Sequence, residues 1–192
     1  MRVHAATATL AVALAAACHS PPPATDAQSS YEPRSEPGEG QRFLARMAGT
    51  WRVQKTFHRR DGGAPSISVG RCAQRLAHDG RFLISEFEFD GGDGRPASTG
   101  TGTIGFDPDT GHFTSFWIDS RSTRISVRAS DEPFDGSCIR LAARSIAADS
   151  ARQSRTETVL EDDDARIRHR QWSTGDAGER LVMELVMERS RD

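Results

Sequence analysis

Six histidines, three cysteines and 27 acidic residues are the chemical raw material of this 192-residue chain, and their spacing decides what they can do. His58, His78, His112 and His169 stand far apart, with no HxH, HxxxH or CxxC among them, so no metal site is signalled. Glu86, Glu88 and Asp119 have no recognisable acid or base partner, and the run Glu161-Asp162-Asp163-Asp164 reads as a solvated loop. Asp119 followed by Ser120 suits a turn cap better than a catalytic pair. Ser120, Ser122 and Ser137 lack the GxSxG elbow of hydrolases, and Gly100-Thr101-Gly102 falls inside a strand pattern instead of opening a helix around a phosphate. The chain is therefore expected not to be an enzyme, and no cofactor is called for. His169 has the most distinctive setting. It shares parity with Ile167 and Gln171 and points inward, while Arg166, Arg168 and Arg170 alternate outward.

The elements that carry these residues are strands. From Thr50 onward apolar and polar residues alternate in short runs, broken by turn sequences such as Asp61-Gly62-Gly63, Asp79-Gly80 and Asp107-Pro108-Asp109-Thr110-Gly111. The runs are 50–58, 66–76, 81–90, 98–106, 112–119, 122–130, 138–147, 153–160, 166–173 and 180–189. About ten strands joined this way form an up-and-down antiparallel sheet, and closure into a barrel removes its exposed edges. Before the first strand, Gln41 to Met47 places Phe43, Leu44 and Met47 on one helical face, enough for a short helix capping one end. Parity then sets an apolar inner face: Trp51, Val53 and Phe57; Leu83, Phe87 and Phe89; Ile139 and Leu141; and Leu181, Met183, Leu185 and Met187 on the Arg189 side of the last strand. Leu83, Phe87, Ile139, Leu141, Met183, Leu185, Met187 and His169 are the candidate ligand-binding residues.

The first 18 residues place Arg2 and His4 ahead of an uncharged apolar stretch, Ala5 to Ala17, and end at Cys18. About 13 apolar residues are too few to span a bilayer permanently, so the segment reads as an export signal, residues 1–17. Ala15-Ala16-Ala17-Cys18 resembles the lipobox of bacterial lipoproteins, which implies acylation of the Cys18 thiol. His19 and Ser20, where an Asp would favour inner-membrane retention, imply the outer membrane, facing the periplasm. Residues 18–40, with Pro21-Pro22-Pro23, Pro33 and Pro37, read as a disordered tether, leaving 41–192 as the barrel domain. Cys72 and Cys138 then remain, and a disulfide between them is left open. Net charge is -2, without the basic surplus of a nucleic-acid binder, so no nucleic-acid partner is expected. Mean hydropathy of -0.57 excludes a multi-span membrane protein. The protein is expected to be a monomer.

Phe43-Leu44, Gly49-Thr50-Trp51, Ser85-Glu86-Phe87, Gly105-Phe106-Asp107-Pro108, Trp117-Ile118-Asp119-Ser120 and Met187-Glu188-Arg189, in that order over residues 43–189, look like the bacterial family known as domain of unknown function 1579. The resemblance implies an all-β, calycin-like barrel, related to lipocalins and fatty-acid-binding proteins, and assigns no activity. Gly49-x-Trp51 with a late Arg189 is similar to the lipocalin pattern, in which the guanidinium packs across the indole; the implied role is structural. An inward histidine is similar to that of the haem-binding nitrobindin barrels, here His169. The leading expectation is a lipid-anchored protein binding a small apolar or amphipathic ligand. A structural or interaction lipoprotein with a filled core is the alternative, with haem binding or an unrecognised enzyme third.

Overall fold

The computed structural model describes residues 35–91, 96–144 and 153–190; the expected signal segment, its Cys18 and most of the tether lie outside them. A nine-residue helix, α1 (Glu39–Met47), comes first. Its start is fixed by Gly38, whose N–H donates to Gln41 Oε1 at 2.6 Å, and by Glu39 in the first turn, where a carboxylate suits the helix dipole. The helix thus opens two residues before the expected Gln41. Phe43, Leu44 and Met47 are buried as one stripe, and Leu44 is fully inaccessible. Gly40 permits the close approach: a Cβ there would lie 2.3 Å from the Phe106 ring.

Ten strands follow: β1 (Gly49–Phe57), β2 (Ser66–Ala77), β3 (Phe82–Phe89), β4 (Ser98–Asp107), β5 (His112–Asp119), β6 (Ser122–Ala129), β7 (Cys138–Arg144), β8 (Ser154–Glu161), β9 (Arg166–Gly175) and β10 (Gly178–Arg189). Each pairs antiparallel with its neighbours in sequence, and β1 pairs with β10, so the sheet is a closed barrel without edges. In the closing ladder Trp51 stands opposite Arg189 and Phe57 opposite Met183. Among the described residues β6 and β7 pair at three positions, Val127 with Arg144 through Ala129 with Ala142.

One end is shut by α1 and an aromatic cluster. Phe113 packs on Phe106 (4.8 Å between centroids) and on Phe134 (5.1 Å), and Phe134 packs edge-on to Phe43. Trp51 and Arg189 lock the helix down. The Arg189 guanidinium lies 4.2 Å from the indole centroid and donates to the carbonyls of Arg46 (2.7 Å), Ala48 (2.8 Å) and Asp164 (3.0 Å). Trp51 Nε1–H donates to Met47 O at 3.0 Å, so the carbonyls that α1 leaves open at its C-terminus are largely satisfied from the barrel. Gly49 supplies the room: its φ is +139° and a Cβ would meet Arg189 Nη1 at 2.6 Å, which accounts physically for Gly-x-Trp with a distant arginine.

One expectation changes and two are sharpened. Leu181 was assigned the inner face with Met183, but a bulge between them breaks the alternation of β10; Val182 is buried instead and Leu181 is absent from the cavity wall. The acidic run is the expected solvated turn, with Asp162 and Asp163 exposed, and it is also pinned: Glu161 pairs with Arg168, and Asp162, Asp163 and Asp164 turn tightly at φ of +51° to +66°, holding Asp164 on Arg46. Aspartate adopts that backbone more readily than most residues. The disulfide left open is not formed: Cys72 and Cys138 are both free and buried.

Candidate ligand-binding site

Inside the barrel lies a cavity of about 400 Å³, bounded below by Met47 of α1. The seven apolar candidates, Leu83, Phe87, Ile139, Leu141, Met183, Leu185 and Met187, all line it, as does His169. β3 and β10 contribute most of this wall, because their alternation puts Leu83, Phe87 and Phe89, and Met183, Leu185 and Met187, on the concave side. Trp51 and Val53 are buried below as packed core, while Phe57, 46% exposed, sits at the mouth.

β8 and β9, which lie between β7 and β10 in the barrel, add polar groups beyond His169 that apolar patterning did not reveal. β8 faces inward with Thr156 and Thr158, and β9 with His169 and Gln171, in register as Thr156–Gln171 and Thr158–His169. Thr158 Oγ1 and His169 Nδ1 are 2.8 Å apart, whereas the side chains of Thr156 and Gln171 meet no hydrogen-bond partner among the described residues. Burial, and secondarily the charge of Arg128, pushes the imidazole down to about 4, so His169 is neutral at physiological pH. Across the cavity Gln74 donates to Ser85 Oγ at 2.9 Å, leaving its Oε1 buried without a partner.

Charged groups reach the cavity from four positions. Asp119 accepts from Trp117 Nε1 (3.0 Å), from the Arg121 backbone (2.8 Å) and from the Arg121 guanidinium (2.9 Å). Burial opposes its charge, but these donors hold its carboxyl at about 2, so the pair is self-neutralising and caps the β5–β6 turn. Lys55 Nζ lies 3.6 Å from the Phe89 ring centroid. Arg128, on β6, is different: its Nη1 donates to Ser154 Oγ (3.0 Å) and Ser154 O (3.4 Å), and no carboxylate among the described residues pairs with it. Lys55 was legible, since it shares parity with Val53 and Phe57. Arg128 was hidden, because on β6 the apolar residues Ile125 and Val127 face outward, Ile125 at 58% exposure, and the polar set faces in. Among the described residues no three His, Cys, Asp or Glu side chains converge.

Fold and cavity together define a small closed β-barrel protein with an amphipathic interior, in which Met, Leu and Phe side chains are interspersed with hydroxyl, amide and guanidinium groups. Within that class, the chain belongs to the family described as protein of unknown function DUF1579, whose model matches residues 36–189. No curated protein matches the chain.

Proposed function

We propose that this protein is a non-enzymatic binding lipoprotein of the cell envelope, exported, acylated on Cys18 and tethered at the outer membrane, that holds one small amphipathic molecule in its barrel. The supporting observation is the cavity of about 400 Å³, within the roughly 300–1,000 Å³ typical of ligand sites, set in an otherwise packed barrel. Seven apolar side chains on β3, β7 and β10 offer a surface for an acyl or similar tail, and Met is an adaptable wall for it. The lipid anchor is supported by the Ala15-Ala16-Ala17-Cys18 sequence and the proline-rich segment after it.

Leu185 tests the reading. It is 7% exposed and faces the cavity midway along β10. Leu185→Ala removes wall and keeps the interior apolar, so a fluorescent fatty-acid probe is expected to bind it within a few-fold of the native protein. Leu185→Asp puts an unpaired carboxylate where burial costs several kcal/mol, and binding is expected to disappear. Circular dichroism establishes that both variants fold. Equal probe affinity for both, or none for the native protein, refutes the proposal in favour of a filled structural barrel.

A further inference from the structure

Many arginines on the outer wall of this barrel have carboxylate partners, and Arg75 and Arg124, which have none among the described residues, are exposed to solvent. Arg168 bridges Glu161 and Glu184, Arg170 joins Glu184, Arg155 holds Glu179 and Arg140 holds Asp135. Arg128 is the contrast, because it lines the interior and, among the described residues, hydrogen-bonds only to the hydroxyl and carbonyl of Ser154. A guanidinium taken out of water without an opposite charge is costly, and such a group is retained where a partner arrives from elsewhere. Burial lowers the Arg128 pKa, whereas Arg140, Arg155 and Arg168 are raised by their carboxylate partners.

The groups around it suit an anion. Ser115 stands opposite Arg128 in the β5–β6 ladder and, with Ser126, presents a hydroxyl to the cavity. Thr156 and Gln171 bring donors without partners from the facing strands. His169 is neutral, so it adds no second charge, and the Asp119 carboxylate that could compete is held by Arg121. Ser154 begins β8, which places the guanidinium toward the open end, and the apolar wall of Leu83, Ile139, Ile167 and Met187 extends beyond it toward α1.

We infer that the ligand is a singly charged anionic amphipath, a carboxylate with an apolar tail, whose head group pairs with Arg128 near the mouth while its tail runs toward α1. The assignment rests on the binding reading above and adds the charge and the orientation of the ligand. A guanidinium fork matches a carboxylate geometrically, with two parallel N–H donors to two oxygens.

The experiment compares 11-(dansylamino)undecanoic acid with its methyl ester, titrated into the native protein, Arg128→Gln and Arg128→Lys. The native protein is expected to bind the acid at least about tenfold more tightly than the ester, as loss of a charge-assisted pair predicts. Arg128→Gln is expected to weaken the acid at least about 30-fold while leaving the ester within about threefold, because truncating one partner of a buried charge pair is costly. Arg128→Lys keeps a charge without the fork and retains part of the preference. Equal binding of acid and ester by the native protein overturns the head-group assignment and leaves the binding reading standing. Weakening of both probes alike by Arg128→Gln in a folded protein does the same. Failure of the native protein to bind either probe removes the binding reading and this assignment with it. Should Arg128→Gln fail to fold, the acid-to-ester ratio of the native protein decides alone.

Discussion

Removal of the Arg189 guanidinium is the most exacting test of how the barrel is closed. Its three N–H donors meet the carbonyls of Arg46, Ala48 and Asp164, and its plane lies 4.2 Å from the Trp51 ring centroid. Hydrogen bonds from a charged donor contribute about 1 kcal/mol each where partly exposed, and the stacked cation about 1 kcal/mol more, so Arg189→Ala is expected to cost about 4 kcal/mol. At roughly 2–4 °C per kcal/mol for a domain of this size, Tm falls by about 8–16 °C. Arg189→Lys keeps the charge but cannot present three donors in a plane, and about half the loss is expected to remain. Thermal melts followed by circular dichroism read both variants. A shift below about 2 °C for Arg189→Ala, or full rescue by lysine, would show that the fork to α1 is not what holds the closed end.

His169 makes stability pH-dependent in a defined window. Its folded pKa of about 4 lies below the ordinary value near 6.5, so the unfolded chain takes up the proton first and stability, complete above about 6.5, is lost as pH falls toward 4, by up to about 3 kcal/mol. Urea midpoints at pH 7 and 5 are expected to differ in the native protein and to differ less in His169→Phe; an unchanged difference contradicts the burial of the neutral ring. Between those values Glu161 and Glu184, both held below the usual carboxylate range, stay ionised and do not obscure the effect. Burial pushes the Cys72 thiol up to about 12 and Cys138 up to about 11, so in the Cys18→Ser protein neither is expected to react with Ellman's reagent at pH 8 until denaturant is added. Fast labelling of a native thiol refutes that. Cys18→Ser itself is expected to move the protein from the detergent phase to the aqueous phase, and identical partitioning of the two forms excludes the lipid anchor.

The strands were readable because turn chemistry punctuates them. Asp-Gly and Asp-Pro-Asp-Thr-Gly sequences force reversals, and all ten runs correspond to observed strands, with ends differing by at most two residues wherever they are described. Side-chain orientation was readable only where the interior is apolar. On β3 and β10 the hydrophobic residues face in, so the wall of Leu83, Phe87, Leu185 and Met187 followed directly from parity. On β6 the rule inverts, with Ile125 more than half exposed while Ser126 and Arg128 face the cavity, and on β5 it is mixed, with Phe113 and Trp117 inside beside Ser115 while Phe116 and Ile118 are more than half exposed. Period-two alternation defines two faces of a strand without saying which is inside, and a strand that lines the cavity with polar groups reverses the usual answer. The β10 bulge escaped for a different reason, since Leu181, Val182 and Met183 are all apolar and carry no mark of an extra residue.

Pairing of β1 with β10 ties the beginning of the barrel to its end, with Ala48 and Arg189 hydrogen-bonded 141 positions apart. This fold cannot form in instalments. Until β10 is in place, β1 has one partner instead of two, the carbonyls of Arg46 and Ala48 lack the Arg189 guanidinium, and the sheet has two live edges. Such dependence on the most distant contact slows folding and lengthens the interval in which chaperones or proteases can act. A chain lacking this one strand thus forfeits the whole ring, which makes β10 a condition of closure.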